Sequence, residues 1–302
     1  MKATKLQPAA RAFSCALVGL QCALVTALLL AIIPASATAQ QNASSASQLT
    51  PFQLEVENQR RRLTSSETEE RRDAVMQLGQ MKRPESSRVA ATSLRDSSAI
   101  VRATAAHAVL TLPADEAAAL LLPLLQDRDE FVRQETAYSL GETRSRTSVN
   151  ALVAILGRDK KDSVRGAAAV ALGQIGDESA VVTLAQLLGR RVPASGLINR
   201  VRRSKKDENE FVRRAAAHSL GLIKSLAAVP ALTAVLLDER APDDVRREAA
   251  TSLGLIGDPA AVQALRSALI VRDPYLARTA YESLLKIAPA EATQSTNRSK
   301  LR

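Results

Sequence analysis

The chain has no tryptophan and only four phenylalanines and three tyrosines in 302 residues. So few large flat side chains leave little to line an aromatic cofactor pocket or to fill a sandwich or barrel, whereas the abundance of Ala and Leu suits close helix packing. Cysteine is almost missing too: Cys15 and Cys22 both stand near the N-terminus, so disulfides, thiolate nucleophiles and cysteine-held metals are excluded from the rest of the chain. Charge is absent from Ala12 to Ile33, between the basic residues Lys2, Lys5 and Arg11 and the small-residue run Ala35 to Ala39. That is the pattern of an export leader, residues 1–39, cut before Gln40; the uncharged stretch 12–33 is also long enough to stay as a membrane anchor. Both readings place the remainder across the membrane, in the periplasm or outside the cell. Residues 1–39 hold three basic and no acidic residues, so without them the net charge falls from +10 to +7. A moderate positive charge bears on solubility and anionic partners, not on the fold.

What is present is a repeat. Val-Arg recurs at Val101-Arg102, Val132-Arg133, Val164-Arg165, Val212-Arg213 and Val245-Arg246, with weaker copies at Glu70-Arg71 and Ala277-Arg278, at arginine spacings of 31, 31, 32, 48, 33 and 32 residues. Seven residues after each arginine comes an apolar residue: Leu78, Val109, Leu140, Leu172, Leu220, Leu253 and Leu285. Glycine follows in five copies, at Gly79, Gly141, Gly173, Gly221 and Gly254, and is expected to end the helix in the left-handed conformation. Asp258-Pro259 reads as the N-cap and first position of a second helix, with Asp177 repeating the signal. Each unit is thus a helix pair of about 32 residues that buries its apolar side only by stacking on its neighbours. The expected fold is all-α, an α-solenoid of about six to seven helical hairpins over residues 64–288. A polar tether with a capping helix precedes it (40–63), a basic insertion (190–206) interrupts it, and a disordered tail (289–302) follows.

Asp162-Ser-Val-Arg165 through Gly173 and Asp243-Asp-Val-Arg246 through Gly254 closely match Asp-x-x-Val-Arg-x-x-Ala-Ala-x-x-Leu-Gly. On these residues the array resembles short HEAT-like repeats of the type found in phycobilisome-lyase-like proteins. The resemblance implies a solenoid, and its functions range over adaptors, lyase subunits and enzyme accessory domains.

The repeat arginines Arg102, Arg133, Arg165, Arg213, Arg246 and Arg278 are expected to be structural, pairing with acids of their own or the next inter-helix turn such as Asp162, Asp243 or Asp244. His107 and His218 occupy equivalent repeat positions, about 25 to 30 Å apart on stacked helices, too far to share a metal. Similar HEAT-like metal hydroxylases carry His-Glu pairs as iron ligands, whereas here Ala108 and Ser219 follow the histidines. Paired acids Asp115-Glu116 and Asp243-Asp244 fall at helix starts; Gly173-Gln-Ile-Gly176 follows no strand, and helix termination accounts for it. No catalytic residue, cofactor or metal is expected.

The insertion departs from the repeat: Arg190, Arg191, Arg200, Arg202, Arg203, Lys205 and Lys206 precede the first acid, Asp207, and Leu197, Ile198 and Val201 interrupt the charge. A short amphipathic helix lying on an acidic partner or an anionic membrane surface is the expectation there. The scarcity of aromatics near it points away from nucleic acid. The functional expectation is a non-enzymatic scaffold binding another protein in the cell envelope; the alternative, carried by the resemblance, is a chromophore lyase or isomerase subunit.

Overall fold

The computed structural model describes residues 49–189, 191–193 and 205–293, and divides into two compact units after Leu54. Of the first unit only residues 49–54 are described. The second carries the array.

Helix α1 (Pro51–Arg62) leads into six hairpins, each a first helix followed by a second: α2 (Thr68–Gln80) and α3 (Pro84–Ala90); α4 (Ala99–Ala108) and α5 (Ala114–Leu121); α6 (Glu130–Thr143) and α7 (Val149–Arg158); α8 (Asp162–Ile175) and α9 (Val181–Leu188); α10 (Glu210–Ile223) and α11 (Val229–Leu237); α12 (Asp243–Ile256) and α13 (Val262–Ala268). A last first helix, α14 (Pro274–Ile287), completes the row, and residues 289–293 add a helical turn that buries Ala292. This is the α-solenoid the repeat predicts.

Helix starts follow the chemistry of their residues. Asp129, Asn209 and Asp273 accept hydrogen bonds from the backbone N–H groups of Phe131, Phe211 and Tyr275, capping α6, α10 and α14. Asp177 and Asp258 cap short 3-10 turns that run into α9 and α13, the latter with Pro259 at its first position.

The first helices pack on one another in an unbroken row, while the second helices touch each other more sparsely. The cause is a seam of small residues. Gly173, Gly221 and Gly254 lie against Ser219, Ser252 and Ser283 of the next first helix; a Cβ added at Gly173 would stand 2.7 Å from the Ser219 Cα. Ser219 and Ser252 in turn donate to the carbonyls of Ala169 and Ala217, both at 2.8 Å. The expectation that these glycines end the helices is therefore corrected. They sit inside the helices, and the left-handed caps come three residues later, at Arg144, Gly176, Lys224 and Gly257. Close approach, not backbone freedom, is what requires glycine there.

The final repeat is also shifted by one residue. Leu276 and Leu284 are buried where Arg278 and Leu285 would have set the pattern, so Ala277 takes the arginine position and Leu285 is exposed.

The expected location is corrected as well. Among the described residues no helix is long and apolar enough to cross a membrane; the longest have 14 residues, about 21 Å against a hydrocarbon core of about 30 Å. The leader 1–39 and the anchor 12–33 lie outside the described residues, and neither anchoring nor export enters the functional reading.

Candidate interaction face

The buried arginines form a ladder along the edge where one hairpin passes to the next. Arg102 places Nε and Nη2 on the two carboxylate oxygens of Asp127, both at 2.8 Å, while Nη1 donates to the carbonyls of Asp96 and Ser97. Arg71 grips Asp96 at 2.8 and 2.9 Å, and Arg133 grips Asp159 at 2.7 and 3.2 Å. Each aspartate also accepts the N–H two residues on, at Ser98, Asp129 or Lys161, and so shapes the turn that starts the next first helix. One guanidinium thus fastens its own turn by the carbonyls and the following turn by the carboxylate. This forked, charge-assisted geometry fixes how successive hairpins stack.

The ladder's acids are mostly not the expected ones. Asp162 does pair with Arg165 at 2.6 Å, but so does Glu208, also at 2.6 Å, from beyond the insertion. Asp243 stands 3.7 Å from Arg246, whose Nε donates to the Leu236 carbonyl. Asp244 pairs with Arg247, which carries the bond to Asp273 at 2.8 Å. Arg278 is corrected: it is exposed and, among the described residues, pairs only with Glu282 on its own helix, because Ala277 holds the ladder position. Arg213 is buried. The spacing of Asp96, Asp127 and Asp159, at 25 or 26 residues after their arginines, was the sequence signal for the true partners.

With the arginines and the seam turned inward, one stripe of the first helices is left outward, at two residues before the ladder position and at one or two, five and nine after it, save on α8, where Gly166 and Ala167 are buried. On α6 this stripe is Phe131, Glu135, Tyr138 and Glu142; on α10 it is Phe211, Arg214, His218 and Leu222. Four of the array's five aromatics gather here, Tyr281 standing one position off the stripe. Phe131, Tyr138, Phe211, Tyr275 and Tyr281 all lie on first helices, and none is buried. Phe131 (43% exposed), Phe211 (39%) and Tyr275 (69%) occupy one repeat position, which Ile100 shares. Gly166 of α8 is the seat of Phe211, since a Cβ there would collide with the ring. Arg247 lies 5.4 Å from the Tyr275 ring centre, within cation–π range.

The two histidines belong to this stripe and repeat one arrangement: His107 is 2.8 Å from Glu135 on the next first helix, and His218 is 2.9 Å from Glu248. Each meets one carboxylate. Among the described residues no three His, Cys, Asp or Glu side chains gather as a metal site would need. Of the paired acids, Glu116 bridges to Arg88 at 3.0 Å and Asp115 accepts from Ser145 at 2.6 Å.

The insertion is described only at its base. Its described ends form a two-stranded antiparallel ribbon, β1 (Arg191–Pro193) with β2 (Lys205–Asp207), pairing Arg191 with Asp207, Val192 with Lys206 and Pro193 with Lys205. The short amphipathic helix expected around Leu197, Ile198 and Val201 lies outside the described residues; at the base of the insertion α8 still packs on α10 as it does on α6, which brings the two ends side by side. Arg190, Arg200, Arg202 and Arg203 lie outside the described residues.

A family model described as HEAT repeats matches residues 60–141, 118–195, 184–243 and 236–295. No curated protein matches the chain. Among solved structures, the YibA protein of Escherichia coli is similar at 19% identity with a TM-score of 0.53, covering 78% of this chain and 81% of its own. The complex of CpcE and CpcF of phycocyanin lyase from Nostoc is similar at 22% identity and a TM-score of 0.46, covering 84% of this chain and 94% of that one. Human deoxyhypusine hydroxylase in complex with glycerol follows at 19% identity and 0.37, covering 78% and 96%. At these identities the likeness is one of fold.

Proposed function

Because the chain belongs to the HEAT repeat family, we propose that it acts by binding, and that its partner is another protein docked on the row of first helices. One observation carries the reading. In a chain with seven aromatics, four of the five in the array, Phe131, Tyr138, Phe211 and Tyr275, sit on this stripe and none of the five is buried, although burial is where such side chains stabilise a fold most. Rigid aromatics flanked by polar groups are the usual anchors of protein interfaces. The basic insertion 190–206 adds long-range attraction for an acidic partner.

Once a partner has been captured with the wild-type chain and identified, its affinity tests the face. Phe131→Ala and Phe211→Ala are each expected to weaken binding about tenfold or more, measured by calorimetry, while Val182→Ser on α9 leaves it unchanged. Unaltered affinity in both phenylalanine variants rejects this face.

The second reading, a lyase-like subunit that handles a linear tetrapyrrole, is favoured by the match of Asp162 to Gly173 and Asp243 to Gly254 to the short repeat signature. Chromophore transfer to an acceptor protein by the purified chain would select it over pure binding.

A further inference from the structure

Arg213 breaks the rule of the ladder. It is 5% exposed, as deep as Arg102 at 7%, yet among the described residues no carboxylate meets its guanidinium, and its Nε is enclosed without an acceptor. The reason lies in the next turn. Asp238 stands 25 residues after Arg213, the spacing at which Asp96 and Asp127 serve Arg71 and Arg102. But Asp238 is eight residues ahead of Arg246, whereas Asp96, Asp127 and Asp159 are each six ahead of the arginine that follows. The longer turn leaves Asp238 exposed, capping the N–H of Arg240 at 3.0 Å.

An enclosed cation without a counter-charge is costly, and the rungs at Arg71, Arg102 and Arg133 show how such a cost is met, by a carboxylate on the guanidinium, as Asp127 sits on Arg102 at 2.8 Å. The chain entering α10 adds to the attraction, because β2 brings Lys205 and Lys206 into the turn just ahead of Glu208 and Arg213.

We propose that Arg213 is a docking point for an acidic side chain of a protein partner, whose carboxylate reaches the terminal Nη groups from outside, the Nε being enclosed. The partner segment is acidic and extended enough to enter the turn between α11 and α12. This point is separate from the aromatic stripe, and a chain carrying Phe131→Ala retains it.

The test follows the arginine Nε–H signals of the full chain by NMR, with that of Arg213 identified by its loss in Arg213→Lys. Synthetic hexaglutamate is titrated in, with inorganic phosphate and a single-stranded oligonucleotide as parallel arms. The expected result is a saturable shift of the Arg213 signal with hexaglutamate alone, while the signals of Arg102 and Arg133 stay still. Arg213→Gln should weaken hexaglutamate binding about tenfold or more, and Arg214→Gln by less than about threefold. Arg213→Gln should also melt no lower than the wild type, since it removes an unpaired buried charge, and this keeps folding apart from binding. The proposal is overturned by an unmoved Arg213 signal, by a response to phosphate or the oligonucleotide equal to that with hexaglutamate, by equal losses in the two glutamine variants, or by Asp238→Asn shifting the Arg213 signal in peptide-free protein.

Discussion

Asp127→Ala is expected to lower folding stability by about 2 to 3 kcal/mol at pH 7, between the small value of exposed ion pairs and the larger one of buried pairs. The Asp127 side chain is 11% exposed and its partner Arg102 9%, so the substitution leaves a nearly buried guanidinium without its carboxylate. It also removes the acceptor for the Asp129 N–H, from which α6 starts. The loss should depend on pH. Burial alone would raise the Asp127 carboxyl, but the hydrogen bonds from Arg102 and from the Asp129 N–H outweigh it and hold the group below its ordinary range. Asp96 and Asp273 are lowered chiefly by Arg71 and Arg247, and Asp159 is lowered by Arg133 against its own burial. A carboxyl lowered on folding stabilises fully above its unfolded value near 4 and loses that contribution as the pH falls through the folded value. The wild type should therefore weaken as the pH drops below about 4, and Asp127→Ala should weaken less steeply. Urea titrations at pH 7 and pH 3 measure both effects; equal stability of the two proteins at pH 7 would remove the ladder from the account.

Gly173→Ala is expected to cost about 3 kcal/mol, at the upper end of what one extra methyl in a packed interior costs. The new Cβ would stand 2.5 Å from Ser219 Oγ and 2.7 Å from its Cα, so the backbones of α8 and α10 must part, and the Ser219 bond to the Ala169 carbonyl with them. Gly157→Ala provides the contrast. Nothing lies within 4 Å of a Cβ there, within α7, and the unfolded chain loses freedom, so stability should rise by up to about 1 kcal/mol. Thermal melts of the pair separate close approach from intrinsic helix preference. If both substitutions stabilise, the seam is not what spaces the first helices.

The period of Val-Arg and of the leucine seven residues later made the stack legible, because a hairpin of fixed length must place its buried residues at fixed intervals. What escaped was whatever depends on the neighbouring repeat. Gly173 looks like a helix end when only its own helix is considered; its role appears once Ser219 of the next first helix lies against it. Arg278 fits the dipeptide pattern but not the packing, which selects Leu276 and Leu284 and so moves the register by one. The partners Asp96, Asp127 and Asp159 sit between hairpins, where alignment on arginine gives them no weight, although their spacing repeats as regularly as the arginines do. The aromatic stripe was half legible: Phe131-Val-Arg and Phe211-Val-Arg are the same word, but Tyr275 joins them only after the register of α14 is corrected.

The most direct test of the binding face is photo-cross-linking from single sites. Benzoylphenylalanine placed at Phe211 should attach covalently to the partner, and the same group at Val182, exposed on α9, should not. Cross-links from Val182 with none from Phe211 would contradict the assignment of the first helices as the docking surface.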